Sequence, residues 1–118
     1  MRAPKTTAGK RLVKAQNDAL ARASSDQGQT LVWSEAEEAI LERAGETVDR
    51  AEHVRKLFAS EMAGEQNPAT VVKLSAELRM LDRQVVDLVA KLNPEGVGPA
   101  KSARHQRAAR SRWDRGAG

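Results

Sequence analysis

The sequence predicts an all-α protein built on a long antiparallel helical hairpin. Three observations lead there. Only Trp33, Phe58 and Trp113 are aromatic among 118 residues, too few for the thick core of a sandwich, a barrel or a large α/β enzyme. The apolar residues are mostly Ala, Leu and Val, and 31% of the chain is charged, the composition of long amphipathic helices. Third, Val71, Leu74, Leu78, Leu81, Val85, Leu88 and Leu92 recur at alternating steps of three and four, an unbroken heptad seam. The length fits a single domain.

Three regions are expected: a basic N-terminal arm (1–33), a hairpin core (34–93) and a basic C-terminal tail (94–118). In the arm, residues 1–9 hold Pro4, Gly9 and two threonines and read as flexible. Residues 10–24 turn helical in composition, but Leu12, Val13 and Leu20 are their only large apolar residues. So thin a stripe predicts a weak, mostly solvent-facing helix, broken at 24–28 by a Ser-Ser-Asp-Gln-Gly run.

The first helix of the hairpin opens at Ser34. Glu37 follows three residues later, completing an S-x-x-E capping box in which each side chain satisfies the other residue's backbone N–H. Glu35, Glu37 and Glu38 suit the positive end of the helix dipole. Trp33, just before the cap, is placed to pack back on Ile40 as a staple. The helix should run to about Met62 and stop near Gly64, giving a rod of about 43 Å. Asn67-Pro68 then supplies a cap and a proline at the first helical position. The second helix should end near Leu92, before Asn93-Pro94. The connection between the two, at about 34–63 and 68–92, is short, so they fold back antiparallel.

Facing the seam, the first helix offers Leu41, Ala44, Val48, Ala51, Phe58 and Met62, with Arg55 interrupting the track. If the seam residues are heptad positions a and d, Val72 and Val86 fall at b, Met80 at c and Val89 at e. Positions b and c normally face water, and a two-helix hairpin cannot bury two faces of one helix. The expectation is a homo-oligomer assembled through the seam together with Val72 and Val86. The alternative is that residues 10–24 fold back over this strip within one chain.

Charge is segregated along the sequence. Residues 1–33 carry six Lys/Arg against two Asp/Glu, residues 34–67 four against nine, residues 68–93 four against three, and residues 94–118 six against two. Basic ends on a small protein point to a polyanion. In the tail, Lys101, Arg104, His105, Arg107, Arg110, Arg112 and Arg115 surround Trp113 at roughly helical spacing. Lys and Arg neutralise phosphates and release counterions, and a Trp among them can stack on a base. Lys10, Arg11 and Lys14 form a smaller basic group. Docking to an acidic protein, and a solubilising tail with Trp113 folded on its own hairpin, stay open as alternatives. No helix-turn-helix is legible in the first 33 residues, so any duplex is expected to be held by charge rather than read base by base.

Enzymatic signatures are missing. With no Cys there is no disulfide, thiolate zinc site or cysteine nucleophile. His53 has no second His one turn away, and Gly96-Val97-Gly98 is not a phosphate-binding loop. No catalytic residue, metal or cofactor is expected. No apolar run approaches the roughly 20 residues of a membrane span, and the charged N-terminus is followed by no apolar stretch, so the cytoplasm is the expected compartment.

The Ser34-Glu35-Ala36-Glu37 opening of a long helix, the Asp82-Arg83-Gln84-Val85-Val86-Asp87-Leu88-Val89 stretch and the basic ending from Lys101 to Arg115 resemble small terminase subunits of actinobacterial tailed phages and prophages. The resemblance covers residues 34–115. It implies a non-catalytic subunit in the host cytoplasm that assembles as a ring through a central helical hairpin. Such a subunit holds double-stranded viral DNA and supports the large terminase subunit, the ATPase-nuclease of the packaging motor. The hairpin would match the ring core and residues 101–115 the segment touching DNA or motor. Many members carry an N-terminal helix-turn-helix that is not legible here. Two other functional readings stand beside this one: a coiled-coil interaction or adaptor protein, and a nonspecific nucleoid-type DNA-binding protein.

Overall fold

A computed structural model describes residues 1–94 of the chain. These residues form three helices, α1 (Thr7–Gln27), α2 (Glu35–Ala63) and α3 (Pro68–Ala90), and the described part is elongated, 70 × 24 × 21 Å. The fold is all-α, as the composition and the seam indicate.

Helices α2 and α3 form the expected hairpin. Ser34 Oγ accepts the Glu37 N–H at 3.1 Å, and the Glu37 carboxylate accepts the Ser34 N–H at 3.1 Å, so the capping box closes on itself. Asn67 Oδ1 accepts the Ala69 and Thr70 N–H groups, with Pro68 opening α3. The turn between them is stitched by Glu61: its carbonyl accepts the Gly64 and Gln66 N–H groups, and its carboxylate accepts the Asn67 N–H at 3.0 Å. These local bonds reverse the chain within four residues.

Side-chain packing along the hairpin is thin. Ala51, Val54 and Leu81 form one buried cluster, with Leu74 and Leu78 packed against it. Ala51 leaves room for close approach of the helices, and Leu81 fills it at 2% exposure. Val54 takes the inward place that the strict heptad track gave to Arg55. Val54 lies three residues beyond Ala51, on the face of α2 that meets Leu81. Arg55 moves to the edge, where its guanidinium pairs with Asp82 of α3 at 2.9 Å.

The N-terminal arm departs from expectation. Residues 10–24 are helical and mostly exposed, as expected, but better anchored than so thin a stripe predicts. They belong to a helix of 21 residues that packs on α2, burying Gly9, Val13, Leu20 and Ala23. The break also comes later: α1 continues through the two serines to Gln27, and Gly28 closes it in the left-handed region at φ 64°, where glycine bears no Cβ penalty. Val13 joins Leu41 and Leu92 in one buried cluster, with Trp33 and Ile40 packed against it. Leu20 and Ala23 join Leu31 in another, again under Trp33. Trp33 and Ile40 share the first of these clusters, and the Trp33 indole N–H donates to Asn17 Oδ1 at 2.8 Å. A stripe of small and medium residues suffices because the connecting segment, through Leu31 and Trp33, supplies the bulk that α1 lacks.

Nor do residues 1–9 hang free. The Asp49 carboxylate accepts the Lys5 N–H at 2.7 Å, the Thr6 N–H at 3.0 Å and the Thr6 hydroxyl at 2.6 Å. Thr6 Oγ in turn accepts the Gly9 N–H and caps α1. Pro4 is buried between two glycines. A Cβ on Gly45 would lie 2.7 Å from Pro4 Cγ, and one on Gly9 2.6 Å from Asp49 Oδ1. The missing side chains are what admit the segment to the α2 surface.

Candidate nucleic-acid and assembly surfaces

The seam residues of α3 face α2. Leu81 and Leu92 are buried within the chain, and Val71, Leu74, Leu78, Val85 and Leu88 are half-buried along the same face. Val72 and Val86 are 65% and 66% exposed on the outer side of α3, and Met80 is exposed as well, while Val89 is half-buried. Helix α1 packs on α2 and leaves the outer strip of α3 uncovered, so the alternative in which residues 10–24 shield it within one chain does not hold.

Lys10, Arg11 and Lys14 lie exposed on α1. Residues Val13 and Leu20 bind the other side of that helix to the body, so helical periodicity points the basic group outward. Lys14 is bridged to Asp18 one turn on, at 2.7 Å with both side chains largely exposed, a pair of small energetic weight. The remaining predicted DNA-contacting residues, Lys101, Arg104, His105, Arg107, Arg110, Arg112, Trp113 and Arg115, lie outside the described residues.

The charge count of the folded body differs from that of its ends. Residues 1–94 contain fourteen Lys/Arg and fourteen Asp/Glu, so the +4 of the whole chain falls within residues 95–118. Within this body the N-terminal arm folds onto the acidic half of α2. Besides the Asp49 bonds, the Arg2 backbone N–H reaches Glu42 Oε1 at 3.2 Å. Partial burial raises the Asp49 carboxyl, but the hydrogen bonds from Lys5 and Thr6 and the Lys5 charge outweigh it and hold the group below the usual carboxylate range.

A groove of about 550 Å³ runs between α2 and α3. Leu81 and Leu88 form its apolar lining, and Arg43, Arg50 and Lys91 share its rim with Glu46 and Asp87. Three cations against two acids leave a surplus of one positive charge along it. His53 is exposed on α2. Among the described residues no helix is long and apolar enough to cross a membrane.

Two features escaped the sequence reading. Asp49 carries no local signal in the sequence; only the return of a segment more than forty residues away makes it an anchor for the capping residue Thr6. Arg79 and Arg83, exposed between Val72 and Val86, belong to the outer strip of α3. Their i, i+4 spacing, at heptad positions b and f, was the available signal. Comparison with protein-family models, curated proteins and solved structures finds no match.

Proposed function

We propose that the chain is a non-catalytic, self-assembling DNA-holding subunit of the small-terminase kind, whose partners are double-stranded DNA, further copies of itself and the large terminase motor subunit. Segregation of charge carries the reading: an electrically balanced helical body with its entire surplus of positive charge in residues 95–118. A body of this kind holds no strong field of its own, so a polyanion is drawn to the tail by counterion release. The exposed valines of α3 give the body an apolar face to share with another copy. Lys10, Arg11 and Lys14 add a second, smaller contact with phosphate.

Fluorescence anisotropy with duplex DNA over a salt series tests it. The full chain should bind with an affinity that falls steeply with salt, and a chain truncated after Asn93 should lose most of that binding. Equal binding by the truncated chain refutes the tail assignment. Stimulation of a large-terminase ATPase separates a packaging subunit from a nucleoid-type protein, and an adaptor protein would show neither property.

A further inference from the structure

The outer face of α3 is a second periodic stripe. Val72, Ala76, Arg79, Arg83, Val86 and Ala90 follow one another at steps of four and three, and all six are exposed. The stripe contains no acid. Helix α2 carries a stripe of the same period, Glu35, Ala39, Glu42, Glu46, Asp49 and His53, exposed or half-buried along its length and acidic at its centre; the N-terminal arm bonds to Glu42 and Asp49 along one edge, and Arg43 and Arg50 flank Glu46 on the other. Residues three and four apart share one helix face, so each stripe is a continuous ridge.

We infer that the outer face of α3 docks on the acidic face of α2 in a second copy of the chain, with Arg79 and Arg83 paired to Glu46 and Glu42. This deepens the self-assembly proposed above and rests on it. The periods coincide: laid antiparallel, Arg83 meets Glu42, Arg79 meets Glu46, Val86 covers Ala39 and Val72 lies against His53. Both charge pairs are spaced i, i+4, about 6 Å along the axis. Neither Arg79, Arg83 nor Glu46 makes an ion pair among the described residues, and Glu42 is held only through the Arg2 backbone N–H. The two stripes cannot meet within one chain, because α3 turns its seam to α2 and its outer face away. The valines explain why the arginines alone do not make this a solvated surface. Rim charges of this sort fix partner and register while apolar neighbours exclude water. Because the two faces are different surfaces, the contact is head-to-tail, and its repetition gives a ring or an open filament rather than a two-fold dimer.

Charge reversal in the full-length chain tests this, read by native mass spectrometry and sedimentation at micromolar concentration. R79E/R83E alone and E42R/E46R alone should each weaken self-association about tenfold or more, through like-charge contact across the interface. An equimolar mixture of the two should recover the wild-type assembly, with the variants alternating. Circular dichroism at wild-type helicity shows that each variant folds. Wild-type assembly by R79E/R83E, or a mixture of well-folded variants that fails to associate, overturns the inference and leaves the self-assembly reading standing. A wild-type chain that stays monomeric across the dilution series overturns both.

Discussion

Asp49 shows how much one side chain settles in a small helical protein. Its two oxygens accept three hydrogen bonds from Lys5 and Thr6, and so hold both the N-terminal segment and the start of α1. Bonds to an ionised acceptor are worth about 1.5–3 kcal/mol each in favourable settings, and half-burial places this group toward the lower end. Asp49→Asn should destabilise the protein by about 1–2 kcal/mol at neutral pH, measured by urea unfolding. The pH dependence has a definite sign. The native carboxyl titrates below its unfolded value, so the unfolded chain takes up the proton first as pH falls. The stabilisation is whole above the unfolded value near pH 4 and is lost as pH drops through the native one. Wild type and variant should therefore converge in strong acid; a constant gap between them would show that the carboxylate charge is not what matters. Residue roles were legible where the partner is close in sequence, as with Ser34 and Glu37. Asp49 was illegible because its partners lie more than forty positions away, and Val54 because a strict heptad count continued from Leu41 lands on Arg55 instead.

At the scale of elements, the boundaries of α2 and α3 could be read because each is written in side chains that bond within three residues. Ser34 and Glu37 start one, Asn67 and Pro68 start the other. Both capping residues of the box are buried, so removing one partner strands a donor away from water. Ser34→Ala should lower the unfolding free energy by about 1 kcal/mol, seen as a reduced thermal midpoint with little change in helicity. An unchanged midpoint would mean that water replaces the hydroxyl. Helix α1 could be sensed in composition but not given its place. Its apolar stripe looks inadequate by itself, and the residues that complete it, Leu31, Trp33 and Leu41, come from the connection and from α2. Hydrophobic periodicity reports how much a helix can bury, while the neighbours that share the burial come from tertiary structure.

Charge divides the whole molecule in two. Residues 1–94 are helical for most of their length and electrically balanced; the surplus charge is confined to residues 95–118. If that segment holds duplex DNA, R107A/R110A should reduce the slope of log affinity against log salt by about two, near 0.9 per phosphate contact. Self-association and helicity should stay as in wild type. The measurement is a salt titration of DNA binding beside sedimentation of the same variant. An unaltered slope would place the phosphate contacts elsewhere, with Lys10, Arg11 and Lys14 of α1 the next group to substitute.

Pro4 seats against Gly45, and Leu92 shares its buried cluster with Leu41. These anchor points lie four residues apart on α2, about 6 Å of helix. A tensile load applied to the body through these two points is therefore met as shear across one short patch, and the distant tip at Gly64 carries no tension. Mechanical resistance would reside at the end where three helices meet, so a pulled molecule should yield there first and give up its hairpin afterwards.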